Sequence, residues 1–213
     1  MRLLVVDHGC CDPPLGRVFH CRALLAREGI ESLACGPASV SALEAPTPGL
    51  HGIHLRDIAA GNRTFARAVR DGTAEAFLQA VTSIPEAMLG LVRETARQAI
   101  AEAVDAFDPA AILVLHAGIF ADLAVETGVP VVVHVAADDL AALERNERIN
   151  GLVAAALESA EVVVVADAAT QASLIEGWFE APSRTPAGVW AIDEQSGERL
   201  AAMCRLACSR RGS

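Results

Sequence analysis

Short apolar runs alternate with longer amphipathic segments along most of the chain. The runs are rich in valine, leucine and alanine, which is typical of strands that a parallel sheet buries on both faces. In the segments between them, apolar residues recur at helical spacing, and glycine or proline marks the segment ends. The predicted strands are Arg2–Asp7, Glu31–Cys35, Gly52–Leu55, Ile112–Leu115, Val131–Val135 and Val162–Val165.

The amphipathic segments predict helices in the connections between these strands. Strands and helices in alternating order form a parallel sheet with right-handed crossovers. The predicted fold class is therefore α/β, a single domain with a doubly wound, Rossmann-like parallel sheet over residues 1–193, followed by a C-terminal helix and tail over residues 194–213. Thr170 is the predicted N-cap of its helix. The predicted helices span Gly16–Glu28, Arg63–Arg70, Pro85–Phe107, Gly118–Glu126, part of Asp138–Ala160, Thr170–Phe179 and Glu194–Cys208.

Three of the predicted strands end at or run into a histidine, and these residues are His8, His116 and His134. Asp138 and Asp139 follow the third of them. In an open parallel sheet, ligands bind outside the carboxyl ends of the strands, at the point where the strand order reverses. The commonest strand order makes the first and fourth strands neighbours at that point, so we expect His8 and His116 to lie close together. The alternative interpretation is a solvated polar rim with no ligand.

Composition excludes several function classes. The formal net charge is −10, which argues against a nucleic-acid-binding surface. All 17 basic residues are arginine, so neither Schiff-base chemistry nor a lysine-bearing phosphate loop is available. No apolar run is long enough to span a bilayer, and the first residues are too short for a signal-peptide core. We therefore expect a cytoplasmic protein with reduced cysteines.

The loop after the first predicted strand, His8–Gly16, lacks the glycine spacing of a dinucleotide fingerprint. The sequence also has no G-x-S-x-G elbow of the α/β-hydrolase type. We expect no metal and no cofactor. A metal centre built from His8, Cys10, Cys11 and His116 stays open as an alternative.

Several short motifs occur in an order that resembles the N-terminal, acceptor-side domain of GT-B-fold retaining glycosyltransferases of the group 1, or family 4-like, type. A proline-bearing loop precedes the first helix, a D-P motif leads to a histidine seven residues on, and a G-V-P turn leads to a second histidine and an aspartate. Two later segments match the family's last strands. The matching segments are Asp12–Arg17, Asp108–His116, Gly128–Asp138, Ala160–Asp167 and Thr185–Val189.

The resemblance implies an acceptor-side domain or subunit of a nucleotide-sugar-dependent glycosyltransferase. It makes His116 and His134 candidate catalytic contacts to the transferred sugar or the acceptor. Asp138 is a further catalytic candidate, either as a polar sugar contact or as a partner that orients a histidine. The candidate substrate-binding residues are His8, Gly16, Arg17 and Asp139. Gly16 would offer helix N-terminal N–H groups to a phosphate, whereas Arg17 stands where the family has a second glycine.

The family's second domain, which carries most of the nucleotide-sugar site, is expected to be missing from this chain. We therefore expect the chain alone not to turn over a nucleotide sugar, the donor substrate, and to need a donor-binding subunit or a second copy in a homodimer. Its small-molecule ligand would be a sugar or another acceptor. The spare apolar area for such contacts is expected on the helices Pro85–Phe107 and Glu194–Cys208. The alternative function is a non-catalytic module that binds a sugar, a nucleotide or a protein.

Overall fold

Seven parallel strands form one sheet in the computed structural model, which describes residues 1–9, 17–38, 48–71, 73–143, 147–178, 188–189 and 197–210. The strand order is β3-β2-β1-β4-β5-β6-β7, and every neighbouring pair is parallel. The order reverses between β1 and β4, as in doubly wound Rossmann-like folds. The strands are β1 (Arg2–Val6), β2 (Glu31–Pro37), β3 (Leu50–Ile53), β4 (Ala111–Val114), β5 (Val131–Val135), β6 (Val162–Val165) and β7 (Gly188–Val189).

Helices occupy the connections between these strands. The segment Asp138–Ala160, predicted to contain a helix, contains two. Two further helices flank the predicted helix that begins at Arg63. The helices in the described residues are α1 (Arg17–Arg27), α2 (Arg56–Ala59), α3 (Arg63–Asp71), α4 (Ala74–Ser83), α5 (Glu86–Phe107), α6 (Ala121–Glu126), α7 (Ala137–Leu143), α8 (Glu147–Ser159), α9 (Ala168–Trp178) and α10 (Gly197–Arg210).

Apolar side chains cover both faces of the sheet, because successive residues of a strand point to opposite faces. On one face, Leu4 and Val6 of β1 belong to the large core that includes α5. On the other face, Leu3 and Val5 pack in a second core with α1 and α10. The C-terminal helix α10 contributes four buried residues to this second core, namely Leu200, Ala201, Cys204 and Ala207. The apolar runs of the sequence are therefore strands buried on both faces.

The N-terminus of α9 differs from the prediction. The helix begins at Ala168, and the Asp167 carboxylate accepts a hydrogen bond of 2.7 Å from the backbone N–H of Thr170. A capping side chain precedes the first helical residue and binds an N–H of the first turn. Asp167 is therefore the capping residue, and the prediction that Thr170 caps this helix is wrong.

The helices α5 and α10, on which spare apolar area is predicted, each expose one leucine. Leu91 of α5 is 58% exposed and Leu206 of α10 is 37% exposed. The two helices pack on opposite faces of the sheet, so these leucines form two separate spots. Within the described part of the chain, no helix combines the length and the apolar character that crossing a membrane requires.

Candidate functional site

The candidate site lies where the strand order reverses, at the carboxyl ends of β1, β4 and β5. Because β1 pairs with β4, the segments that follow them come together. The rings of His8 and His116 have centroids 6.5 Å apart, which confirms the predicted proximity of these two histidines. Asp7 directly follows β1, His134 lies in β5, and Asp139 lies in α7 just beyond it.

Asp139 orients His116. The Nδ1 atom of His116 lies 2.8 Å from Oδ1 of Asp139. The other carboxylate oxygen of Asp139 accepts hydrogen bonds from the backbone N–H groups of Ala117, at 3.1 Å, and Ala136, at 2.9 Å. Asp139 is fully buried, so these three bonds hold its charge away from water and leave its carboxylate in one position.

The opposite nitrogen of His116 faces the edge of the site. Since Asp139 accepts from Nδ1, the neutral imidazole carries its proton there and presents a lone pair at Nε2. Nη1 of Arg17 lies 3.2 Å from this Nε2 and donates to it. Oδ1 of Asp7 lies 4.0 Å from the same atom and accepts from the backbone N–H of Gly9. His116 therefore stands between two carboxylates and one guanidinium.

His116 and Asp139 shift each other's pKa. Burial lowers the pKa of His116, but the negative charge and hydrogen bond of Asp139, together with the charge of Asp7, outweigh burial and raise that pKa above its ordinary value. Burial raises the pKa of Asp139, but His116 and the two backbone N–H groups outweigh it and lower that pKa. Asp139 is thus held ionised beside an imidazole whose basicity is increased.

His8 is fully buried and positions the neighbouring loop. Its Nε2 accepts a hydrogen bond of 3.1 Å from the backbone N–H of Phe120, and its ring stacks on the Phe120 ring at 4.5 Å between centroids. Burial is the main cause that lowers the pKa of His8 to about 3, and the nearby His116 contributes in the same direction. The ring of His8 is therefore neutral. No described residue pairs with its Nδ1. His8 is fully buried and contacts Phe120, and its contact to substrate stays a prediction.

His134 is buried as well. Its Nδ1 donates to the backbone carbonyl of Leu115 at 3.1 Å, which ties β5 to the residue just before His116. Burial and the nearby charge of Arg17 lower the pKa of His134 to about 4. His134 is therefore a neutral ring beneath the segment that carries His116.

The remaining predicted residues have different positions. Arg17 is the first residue of α1 and is half-buried, with its guanidinium directed to His116. Asp138 lies in α7, but its side chain lies outside the described part of the structure, and Gly16 lies wholly outside it. Sequence reasoning missed Asp7, although it is the polar residue that ends the first apolar run.

The described residues contain no group of three histidine, cysteine, aspartate or glutamate side chains that could hold a metal ion. Cys10 and Cys11, which the alternative metal centre requires, lie outside the described residues. The chemistry that the described residues support is proton transfer. An aspartate that orients a histidine, with the histidine's second nitrogen directed to the site edge, is an arrangement suited to a general base.

Comparisons with known proteins identify the fold. No family model matches the sequence, and no curated protein matches it in the sequence comparison. A solved structure of sucrose-phosphate synthase from Thermosynechococcus elongatus matches this chain over 100% of both chains, with a TM-score of 0.53 and 12% identity. This likeness shows the fold, and it confirms the predicted Rossmann-like α/β class.

Two further solved structures are glycosyltransferases in complex with thymidine diphosphate. SsfS6 of Streptomyces sp. SF2575 matches with a TM-score of 0.43 and 14% identity, over 77% of this chain and 48% of that one. The spinosyn rhamnosyltransferase SpnG matches with a TM-score of 0.46 and 20% identity, over 90% of this chain and 50% of that one. The chain spans about half the length of these two proteins.

Proposed function

We propose that the chain is the acceptor-side domain or subunit of a nucleotide-sugar-dependent glycosyltransferase, with His116 as its general base. The observation that carries the proposal is the pairing of His116 with the buried Asp139 at the carboxyl edge of the sheet. This edge is where open α/β sheets bind ligands. The fold shared with sucrose-phosphate synthase and the order of the sequence motifs support the same function.

In the proposed reaction, the acceptor hydroxyl lies against Nε2 of His116. The hydroxyl proton moves to Nε2, the oxygen forms a bond to the anomeric carbon of the donor, and the bond from that carbon to the diphosphate breaks. Asp139 stabilises the imidazolium that forms, because its charge is buried and its position is held by Ala117 and Ala136. The product nucleoside diphosphate leaves with the electron pair of the broken bond.

This use of His116 predicts inversion at the anomeric carbon. A base that activates the acceptor for a single displacement places the new bond opposite the leaving group. The motif order in the sequence resembles a retaining group, so the two expectations differ in the anomeric configuration of the product. The group assignment within the GT-B enzymes is therefore decided by product stereochemistry, which NMR of the anomeric proton measures.

The proposed enzyme needs a donor-binding domain, either elsewhere in a longer protein or in a partner subunit or second copy. In the proposal, Asp138 and Gly16 keep their predicted roles as contacts to the sugar and to a phosphate. His8 and His134 are positioning residues, because both are fully buried.

The alternative function is a non-catalytic module that binds a sugar, a nucleotide or a protein. One observation favours it: three of the sequence-predicted contacts, His8, His134 and Asp139, are 0% exposed. If these three residues contact no ligand, Arg17 and His116 are the described candidate residues that remain to bind it. The two functions differ in whether removing the basic nitrogen of His116 abolishes group transfer.

The test is glycosyl transfer by the chain when it is produced together with the protein segments encoded next to it. A panel of nucleotide sugars and hydroxyl acceptors is assayed by mass spectrometry, with the chain alone in parallel. We expect transfer by the combined proteins only. We expect His116→Ala to lower the rate by about 10² to 10⁴-fold, the range for a general base.

The matched control is His20→Ala, which removes an exposed histidine of α1 and is expected to leave the rate unchanged. Transfer that survives His116→Ala within twofold would show that His116 is not the base. Binding of a nucleotide sugar or acceptor by the chain, with no transfer under any combination, would establish the binding module instead.

A further inference from the structure

Arg17 and His116 make a contact that catalysis by His116 must break. We propose that Arg17 binds an anionic group of the ligand, and that this binding releases Nε2 of His116 from the guanidinium. The inference rests on the proposed role of His116 as the base. It adds a ligand class to that role: a molecule that carries a phosphate or carboxylate near the reacting centre.

The contact and the proton transfer exclude each other. A neutral imidazole has one lone pair in the ring plane, and here Arg17 Nη1 donates to it at 3.2 Å. An acceptor hydroxyl needs that same lone pair. A protonated Nε2 also repels the guanidinium, since both then carry donors and positive charge. Arg17 must therefore move away from Nε2 before, or as, His116 receives a proton.

Within the described ranges, which leave out residues 10–16, Arg17 has no carboxylate partner that would hold it elsewhere. Among the described residues, no acidic oxygen lies within 4.0 Å of its guanidinium. The nearby carboxylates are engaged by other donors: Asp7 accepts from the N–H of Gly9, and Asp139 accepts from His116 and two backbone N–H groups. A guanidinium without a counter-ion at the rim of a site binds phosphate or carboxylate, often through two hydrogen bonds.

Exposure makes Arg17 the cation that a ligand meets. Arg17 is half-buried, whereas Asp7, Asp139, His8 and His134, the other titratable groups around His116, are buried. A ligand anion at the rim therefore contacts the guanidinium first. Because the guanidinium leaves Nε2 to meet this anion, the lone pair becomes free at the moment the ligand arrives.

The same movement strengthens the base. The positive charge of Arg17 opposes protonation of His116 in the free protein, and a bound anion both neutralises and withdraws that charge. His116 then becomes more basic when ligand is bound. The anion is either the diphosphate of a nucleotide sugar or an acid group on the acceptor, and the chemistry that Arg17 recognises is common to both.

The experiment follows the Cε1–H resonance of His116 by NMR in the 213-residue chain across a pH titration. Two probes are used separately, inorganic pyrophosphate for the diphosphate and gluconate for a hydroxylated acid, at up to about 20 mM and constant ionic strength set with sodium chloride. We expect at least one probe to raise the pKa of His116 saturably, by about 0.5 or more. The probe that does so identifies the source of the anion.

Arg17→Met is the decisive variant. We expect it to raise the pKa of His116 without any probe and to abolish the effect of both probes, with circular dichroism confirming the fold. Arg27→Met, which removes an exposed arginine at the other end of α1, is expected to behave as the unaltered chain. The inference is overturned if neither probe moves the His116 titration, or if the probes act equally on the Arg17→Met chain.

This titration needs no glycosyl transfer, so its failure is distinguishable from failure of the proposed function. If transfer depends on His116 but the His116 titration is not coupled to Arg17, the proposed enzymatic function stands. The proposed anion-dependent release of His116 is then overturned. If the probes change the His116 titration through Arg17 but no transfer occurs, the chain has an anion-binding site and is a non-catalytic module.

Discussion

The Nδ1 atom of His116 and the Oδ1 atom of Asp139 are 2.8 Å apart, although 23 positions separate the two residues in the sequence. His116 follows β4 and Asp139 follows the neighbouring β5. The pairing of these two strands therefore assembles the contact. It determines which nitrogen of His116 carries the proton and which one faces the edge of the site.

Replacing Asp139 by asparagine tests this relationship. Asp139→Asn removes the negative charge that raises the pKa of His116, so we expect this pKa to fall. The buried hydrogen bonds weaken as well, and we expect a loss of about 2 kcal/mol in the free energy of unfolding. NMR titration and urea denaturation measure the two effects. The control is Asp105→Asn, at an exposed position of α5, and an unchanged His116 titration in Asp139→Asn would contradict the assigned pair.

Gly118 tests the packing that holds His8. A Cβ atom at this position would lie 2.6 Å from Nε2 of His8 and 2.7 Å from Cδ2 of Leu78. We therefore expect Gly118→Ala to lower the free energy of unfolding by about 1–3 kcal/mol, the usual cost of overpacking. A matched control is Gly90→Ala in α5, where a Cβ meets no atom within 4 Å. We expect that change to stabilise the chain by about 0.5–1 kcal/mol, because alanine favours a helix. Equal effects of the two substitutions would show that His8 is not tightly packed.

We expect acid to destabilise the fold through its buried neutral histidines. In the unfolded chain, His8 and His134 take up protons near the ordinary pKa of 6.5, whereas in the folded chain they do so near 3 and 4. Between these values the unfolded chain binds more protons, so the free energy of unfolding falls as the pH drops from about 6.5 to about 4. Each histidine contributes a slope of at most about 1.4 kcal/mol per pH unit.

His116 acts in the opposite direction. Its pKa is raised in the folded chain, so its contribution is complete below pH 6.5 and is lost as the pH rises through the folded value. Urea denaturation at a series of pH values measures the combined slope. We expect His134→Gln, which keeps a donor for the carbonyl of Leu115, to reduce the acid slope, with exposed His54→Gln as the control. An acid slope that is the same with and without His134 would contradict its assigned burial.

Arg93 holds the segment that carries the site against α5. Its guanidinium donates to both carboxylate oxygens of Asp122 and to the carbonyl of Ile119. Both side chains are nearly buried, at 13% and 14% exposed. We expect Arg93→Met to cost about 2–3 kcal/mol, because it leaves the Asp122 charge without its partner.

Arg97→Met supplies the comparison for this prediction. Arg97 lies one turn along the same helix and pairs with Glu94 and Glu126, but its side chain is 40% exposed. Exposed pairs contribute about 0–1 kcal/mol, so we expect a small change in thermal and urea unfolding. A cost for Arg97→Met as large as that for Arg93→Met would show that burial does not govern these pairs.

The alternation of apolar runs and amphipathic segments was enough to predict the sheet. Strands buried on both faces must be apolar throughout, so β1, β4, β5 and β6 are visible as short runs of valine, leucine and isoleucine. The order of strands and helices also predicted that β1 and β4 are neighbours, and with them His8 and His116. The edge strand β3 begins two residues before its predicted position. Leu50–Ile53 is only partly buried, so its apolar pattern is weaker.

The sequence by itself thus determined the fold class and the edge of the sheet at which polar groups gather, because both follow from local periodicity. Only the tertiary structure decided that Asp139 is the partner of His116, that His8 and His134 turn into the core, and that Arg17 and Asp7 face Nε2. These contacts join residues as far as 112 positions apart, as in the bond between His8 and Phe120. They depend on strand pairing and on side-chain direction within a packed core, and neither leaves a periodic signal along the chain.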